Sequence, residues 1–249
     1  MLFPNYIIII LYSFLSCYKN HLIMSINLKY PSLLSYTKKY NLYLGSGSYS
    51  RKLILQENDV PFNVLIANIN EKPIGNRLVD KPHDLVTLIA LEKAKAIISD
   101  NKHISFKHND ILLTADQVVV FDNKILEKPI DLHEARLFIN RYINNSCSTV
   151  GSIVLTNMQT GQQVYDIDQS TIHFGDIPND IIDKIISEGN VLNCAGGLMI
   201  EHPLLQPYIN KIEGTQDSLM GLSCQLLQSL FDKLDNIIEN AIPFIPMIS

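Results

Sequence analysis

The run Ile111-Leu112-Leu113-Thr114-Ala115 is a buried-strand pattern that leads straight into Asp116-Gln117 and then Val118-Val119-Val120-Phe121. A strand this apolar has to be covered by other elements, so it belongs inside a layered fold rather than on a surface. Asp116 is bracketed by apolar residues on both sides. A carboxylate in that setting costs several kcal/mol unless it is paired or serves a site. The bland alternative is a structural, hydrogen-bonded Asp. Asp122-Asn123 can turn a hairpin, with Ile125-Leu126 returning.

A second stretch, Tyr43-Leu44-Gly45-Ser46-Gly47-Ser48-Tyr49-Ser50-Arg51-Lys52, starts as a strand end, becomes a Gly/Ser turn, and enters a helical run with cations at its start. Such a junction presents backbone N–H groups and the positive end of a helix dipole to one point, which suits an anion. An ordinary strand-to-helix turn looks the same. The Walker pattern G-x-x-x-x-G-K-[ST] is absent.

Along the rest of the chain, 51–58 reads as a helix and 61–67 as a strand, with Glu71 just past its end. A loop spans 73–82. Asp84 is a suitable N-cap for a helix over 85–99 with a stripe of Leu85, Leu88, Ile89 and Ala96. Residues 100–109 read as a loop. Asp131 and Glu134 have capping-box spacing and open a helix through Tyr142. Strands are expected over 150–157 and 163–174 around Thr160-Gly161. Pro178 fits the first turn of a helix ending at Gly189. The small-residue loop from Cys194 is expected to enter a short strand through Glu201. A final helix over 222–238 carries a Leu/Ile/Phe stripe read as core or dimer contact. Strands alternating with helices, with two hairpins inserted, make this mixed α/β with some antiparallel pairing.

The 249 residues are 47% hydrophobic and 18% charged, enough for a sizeable core. A net charge of −5 excludes a general nucleic-acid surface, so cations for a polyphosphate must be local. The four Cys are scattered without C-x-x-C spacing, which excludes a zinc framework and makes packing their expected role. The His residues show no metal-ligand spacing and are expected on the surface or in the core. Residues 1–40 are set apart as a leader or extension. Tyr6–Cys17 is nearly continuous apolar sequence but too short for a comfortable membrane span. It has the length of a signal core without a preceding cation, so organellar or secretory routing is the alternative to a cytoplasmic location; initiation at Met24 is a further alternative. Residues 41–240 are expected to form one domain and 241–249 a tail.

Arg51, Glu71, Lys93, Asp116, Lys128 and Glu201 sit at element ends or interrupt apolar patterns. Together with the Gly/Ser turn they are ingredients of metal-assisted attack on a phosphoanhydride: cations for phosphate oxygens, carboxylates for a metal and for orienting water. Their order along the chain carries more. Leu44-Gly-Ser-Gly-Ser-x-x-Arg51, Asn70-Glu71, Ala90-Leu-Glu-Lys93-Ala94, Thr114-Ala-Asp116-Gln-Val-Val, Glu127-Lys128-Pro129, Ala195-Gly196-Gly197 and Met220-Gly221-Leu222 together resemble the Maf family of nucleotide pyrophosphatases, over about residues 41–238. The stretches from Val150 and from Ala195 are most similar to plant-type members.

The resemblance implies an elongated mixed-sheet α/β fold with a central cleft between two lobes, shared with inosine-triphosphate pyrophosphatases. It implies hydrolysis of a nucleoside triphosphate to monophosphate and diphosphate with a divalent cation, Mg²⁺ or Mn²⁺, by a homodimer. Ser46, Ser48 and Arg51 would then hold phosphate, Glu71 and Asp116 a metal, and Lys93 and Lys128 the triphosphate charge. Asp116 would be the general base or would place the water. Gln117 and Glu201 would read the base. Where the thymidine/uridine type has Ser-Pro-Arg-Arg, this chain has Ser48-Tyr49-Ser50-Arg51. Its acid pair is Asn70-Glu71, Gln117 replaces a Thr, and Glu201 replaces a Gln. A carboxylate only accepts, which suits the N1–H and N2–H₂ donors of guanine better than the imide edge of uracil or thymine. A guanine-like base such as that of 7-methyl-GTP is the expected preference. The alternatives are a dTTP/UTP pyrophosphatase of the same family and a catalytically poor nucleotide-binding regulator of cell division.

Overall fold

The computed structural model describes residues 30–241. The apolar run at 6–17, the routing expectation built on it, and the tail beyond 241 lie outside the described residues. In chain order the elements are α1 (Pro31–Lys39), β1 (Asn41–Leu44), α2 (Tyr49–Glu57), β2 (Asn63–Val64), α3 (Pro82–Asp100), β3 (Asp110–Phe121), β4 (Lys124–Leu126), α4 (Leu132–Tyr142), β5 (Ser146–Asn157), β6 (Gln163–Phe174), α5 (Asn179–Ser187), β7 (Ile209–Glu213), α6 (Gln216–Leu219) and α7 (Cys224–Ala241). Short 3₁₀ turns fill the stretch between α5 and β7. The strands form one mixed sheet in the order β2-β1-β3-β5-β6-β7, with β4 also on β3.

The feature that positions the site is a gap in this sheet. One edge of β3 is paired along its length with antiparallel β5, from Ile111↔Asn157 to Val120↔Ser148. The other edge is shared: parallel β1 covers Asp110 to Leu113, and antiparallel β4 covers Val119 to Phe121. Between them, Thr114 to Val118 have no strand neighbour on that side. Their backbone groups need other partners, since buried carbonyls rarely go unpaired. Asp116 and Gln117 lie in the middle of this window. Side chains alternate across a strand, so the two point to opposite faces. Asp116 shares its face with Leu112 and Thr114 under α3, and Gln117 shares the other with Ala115 and Val119 of the main core.

α3 starts earlier than the sequence implies. Pro82 occupies its first turn, Lys81 is the N-cap, and Asp84 sits inside the first turn as a favourable charge for the dipole. Its buried stripe is Leu85, Val86, Ile89, Ala90, Lys93, Ala94 and Ile97, while Leu88 is exposed. Lys93 therefore lies within the packed stripe. Thr114 Oγ1 donates to Ala90 O at 2.8 Å and locks α3 to the window. The strand expected over 61–67 shrinks to two exposed residues at the sheet edge, and the chain then leaves towards Glu71. The short strand expected to end at Glu201 is absent; that segment is 3₁₀ turns, and the strand forms later, at β7.

Asp131 caps α4 by accepting from Glu134 N at 2.7 Å, while the Glu134 carboxylate reaches Ile130 N, one residue short of a strict capping box. α1 falls in the segment set aside with the N-terminus, yet it packs on the core. Leu33 is 1% exposed, and Tyr36 and Tyr40 stack on Phe231 of α7. The packed fold thus includes residues upstream of 41. The α7 stripe of Leu227, Leu230, Phe231 and Leu234 is buried in the main core. Among the described residues no helix is long and apolar enough to cross a membrane.

Candidate functional site

The turn after β1 makes the floor of a cavity of about 680 Å³. Gly45 lets it approach β3: a Cβ there would lie 2.6 Å from Thr114 Cγ2 and 2.8 Å from Ile97 Cδ1. Ser48 is the N-cap of α2, accepting from Arg51 N. Ser46 Oγ accepts from Ser48 N at 3.2 Å and from Arg51 Nη1 at 3.1 Å. The serines thus shape the turn from within while facing the cavity.

Arg51 fills the gap in the sheet. It is 8% exposed, donates from Nη1 to Ala115 O at 3.0 Å, and donates from Nε to Gly221 O at 2.9 Å. Ala115 O is one of the carbonyls that β1 and β4 leave unpaired. Burial lowers the guanidinium's proton affinity, and Asp116 and Glu71 oppose that.

Lys93 enters the same window from α3. Its Nζ lies 2.8 Å from Asp116 Oδ1 and 3.1 Å from Glu71 Oε1, and reaches Ala115 O at 3.4 Å. One ammonium therefore bridges two carboxylates. Burial raises the Asp116 pKa; Lys93 and Arg51 pull it back down, and Glu71 adds to the rise. A carboxylate tuned upward in this way accepts a proton more readily than an exposed one. Glu71 is held through its backbone: Arg77 donates to Glu71 O at 3.0 Å and to Glu127 Oε1 at 3.0 Å, next to Lys128. Asn70, in the place of the second acid, accepts from Lys72 N and does not line the cavity.

Gln117 is fixed by the turn at α6. Its Nε2 donates to Ser218 O at 2.8 Å, leaving the carboxamide oxygen as an acceptor. Ser218 Oγ bonds Ser170 and Asp168, and Asp217 caps Cys224 N at 2.7 Å. The same turn supplies Gly221 O to Arg51, so one buried loop sets two cavity side chains.

The apolar part of the lining is Val119, Leu198, Met199, Leu219 and Met220, and Glu201 and Thr149 also line the cavity. Burial raises the Glu201 pKa; its own backbone amide and His202 oppose this. His202, assigned from sequence to surface or core, is 3% exposed on the cavity wall, 3.2 Å from Glu188 Oε2. Cys194 also lines the cavity, but burial pushes its thiol up to about 12, which fits packing rather than reactivity. Lys128 is exposed at the rim, without a hydrogen bond or ion pair among the described residues.

All of the residues singled out from sequence, Ser46, Ser48, Arg51, Glu71, Lys93, Asp116, Gln117, Lys128 and Glu201, line this one cavity. Missed were Thr149, Asn190 and Asn193, and the backbone carbonyls of Ser218 and Gly221 that accept from Gln117 and Arg51. A Thr in a strand and an Asn in a loop carry no pattern that separates them from ordinary structure.

The 7-methyl-GTP pyrophosphatase of Dictyostelium discoideum is 32% identical over 195 residues, covering 78% of this chain and 96% of that protein. A protein of the same name from Colwellia psychrerythraea is 28% identical, covering 73% and 86%. The dTTP/UTP pyrophosphatase of Bacillus mycoides is 25% identical, covering 80% and 98%. The family profile described as Maf-like protein matches residues 41–234, the segment that contributes every residue of the cavity. By that match, the chain belongs to the Maf family.

Proposed function

We propose that the chain hydrolyses a nucleoside triphosphate between its α and β phosphates, releasing diphosphate, and that it prefers a guanine-type base such as 7-methylguanine. The observation that carries this is the polarity of the cavity. Arg51, Lys93 and the Gly/Ser turn gather around Asp116, and Lys128, Glu201 and the apolar side chains of Val119, Leu198 and Met199 line the same cavity. That lining offers cations to a triphosphate, a carboxylate to a water, and apolar surface with a carboxyl to a base. The names of the relatives support the reaction class.

The donor set fits a divalent cation. Glu71 and Asp116 converge on one ammonium, so their oxygens already face a common point. Among the described residues no group of three or more His, Cys, Asp or Glu could hold an ion alone. Mg²⁺ commonly takes one or two carboxylates and completes its shell with phosphate and water. When bound, such an ion offsets the charge that builds on the phosphate oxygens. Arg51, Ser46 and Ser48 hold phosphate, and Lys93 and Lys128 balance its charge. Asp116 accepts the proton of the water that adds across the anhydride, and diphosphate leaves. Glu201 accepts from the donor edge of the base, and the Gln117 oxygen adds a second acceptor. A cytoplasmic homodimer, suggested by the family resemblance, is part of the same proposal and is checked by light scattering and cell fractionation.

The test is release of diphosphate across a nucleotide panel with Mg²⁺ or Mn²⁺. Asp116→Asn is expected to lower kcat by at least about 100-fold with little change in nucleotide binding. Hydrolysis of dTTP and UTP with none of GTP or 7-methyl-GTP would overturn the base preference. Tight binding without metal-dependent turnover would support the regulator instead.

A further inference from the structure

Residues 66–80, which carry Glu71 to the cavity, form no strand or helix, so no backbone ladder fixes where they lie. Among the described residues, their hydrogen bonds and ion pairs stay within the segment except at two places. Glu71 Oε1 meets Lys93 Nζ at 3.1 Å, and Arg77 Nη2 meets Glu127 Oε1 at 3.0 Å. The Glu71 side chain is 45% exposed, and an ion pair that open contributes under about 1 kcal/mol. That is too little to hold a 15-residue segment by itself, so the second tie matters.

The Arg77 side chain is 17% exposed, and the loop folds around it. Nη1 donates to Lys72 O at 3.1 Å and to Ile74 O. Nη2 donates to Glu71 O at 3.0 Å as well as to Glu127. Ile74 N closes a turn onto the same Glu71 O at 3.1 Å. One planar fork thus gathers three carbonyls, the first of them Glu71's own, which a lysine's compact ammonium cannot match. The far anchor is itself fixed. Glu127 O accepts from Gly196 N at 2.8 Å, and Lys128 is the next residue in the chain. Neither Arg77 nor Glu127 lines the cavity.

We propose that Arg77 is a positioning residue: tied to Glu127, it sets Glu71 against Lys93 and Asp116 and so readies that carboxylate for a divalent cation. Partners behind a ligating carboxylate raise metal affinity by fixing its place. The inference rests on the pyrophosphatase reading above and adds the side chain that acts on Glu71 from outside the cavity.

The test is calorimetric binding of the α,β-methylene analogues of GTP and UTP, in which carbon replaces the scissile bridging oxygen, with and without Mg²⁺. The readout is the factor by which Mg²⁺ tightens binding. Arg77→Met is expected to reduce that factor about tenfold, with metal-free affinity within about twofold of wild type. Glu127→Ala should give the same loss, and Glu127→Gln, which keeps an acceptor, should not. Glu127 is 43% exposed, so substitution there leaves the core intact. Arg77→Met removes a cation and Glu127→Ala an anion, so an effect of charge alone would move the two in opposite directions. In a Glu71→Gln background, adding Arg77→Met should change the factor by no more than about twofold. An unchanged factor in Arg77→Met or in Glu127→Ala, or an equal loss with and without Mg²⁺, overturns the proposal. Wild type that binds neither analogue would overturn the nucleotide reading and this inference with it. Wild type that binds them but releases diphosphate from no nucleotide would overturn only the enzymatic reading, with the binding factors still deciding the role of Arg77.

Discussion

Lys93→Met removes the ammonium that bridges Asp116 and Glu71 while keeping the length and packing of the side chain. The Lys93 and Asp116 side chains are only 10% and 12% exposed, so solvent screens their pair weakly. Removing one partner of a buried pair costs about 3–5 kcal/mol, because the other charge stays buried. Glu71 is 45% exposed, and its share is under about 1 kcal/mol. Arg51 remains close and offsets part of the loss, which points to about 3 kcal/mol at pH 8. Burial already raises the Asp116 pKa, and Lys93 is the largest influence lowering it. In the variant it lies higher still. A carboxyl whose folded pKa is raised lends stability below its unfolded pKa and loses it as pH climbs through the folded value. The variant should therefore come closest to wild type in acid, with the penalty at pH 5 under about half of that at pH 8. Urea unfolding at the two pH values measures this, with a midpoint shift of roughly 1–2 M at pH 8 for a slope of about 2 kcal/mol/M. Adding Asp116→Asn should recover most of the loss. An equal penalty at both pH values, or no recovery in the double variant, would refute the claim that Lys93 is held there to neutralise Asp116.

Gly196 has φ +60°, and a Cβ there would lie 2.5 Å from Tyr142 Oη and 2.8 Å from Val119 Cβ. Gly196→Ala is expected to lower stability by about 1–3 kcal/mol in the same unfolding assay and to weaken nucleotide binding through the displaced Val119. Burial raises the Glu201 pKa, and only its ionised form accepts two donors. Affinity for a guanine nucleotide, followed by calorimetry, should fall as pH drops through that raised value; Glu201→Gln should abolish the pH dependence and shift preference towards UTP and dTTP.

The parts of this site that the sequence discloses are those where local chemistry is at odds with its surroundings. Asp116 inside an apolar strand and Lys93 inside a helical stripe each demand a partner, and each has the other. The Gly45–Ser48 turn is legible because strand, small residues and helix follow one another directly. What the sequence does not disclose depends on contacts between distant segments. The gap in the edge of β3 arises because β1 and β4 both pair there and neither is long enough to meet the other. No window of residues around 114–118 contains that fact. Likewise Ser218 and Gly221 serve through backbone carbonyls, which any residue carries. The β-like run ending at Glu201 became 3₁₀ turns because Gly196 and Gly197 both take positive φ, which interrupts an extended strand. α1 was hidden by the unusual composition upstream of it, although Leu33, Tyr36 and Tyr40 are ordinary core contacts.

The side chains that line the cavity differ in how they are held, and that difference separates stability from selectivity. Arg51, Lys93, Asp116 and Gln117 all make buried hydrogen bonds to the backbone or to each other across the gap. A substitution at any of them disturbs folding and chemistry together, so loss of activity alone does not define its role. Glu201 and Lys128 have no such ties among the described residues: the Glu201 carboxyl has only its own amide and His202 to favour its charge, and the Lys128 ammonium is exposed to solvent at the rim. A desolvated carboxyl weakens the empty protein, and a ligand that donates to it recovers that energy on binding. Variants at Glu201 should therefore leave the melting temperature unchanged or higher while altering which base is accepted, and variants at Lys128 should leave it unchanged while weakening triphosphate binding. The reacting groups and Gln117 are fixed by the fold; the Glu201 carboxyl is left for the nucleotide to complete.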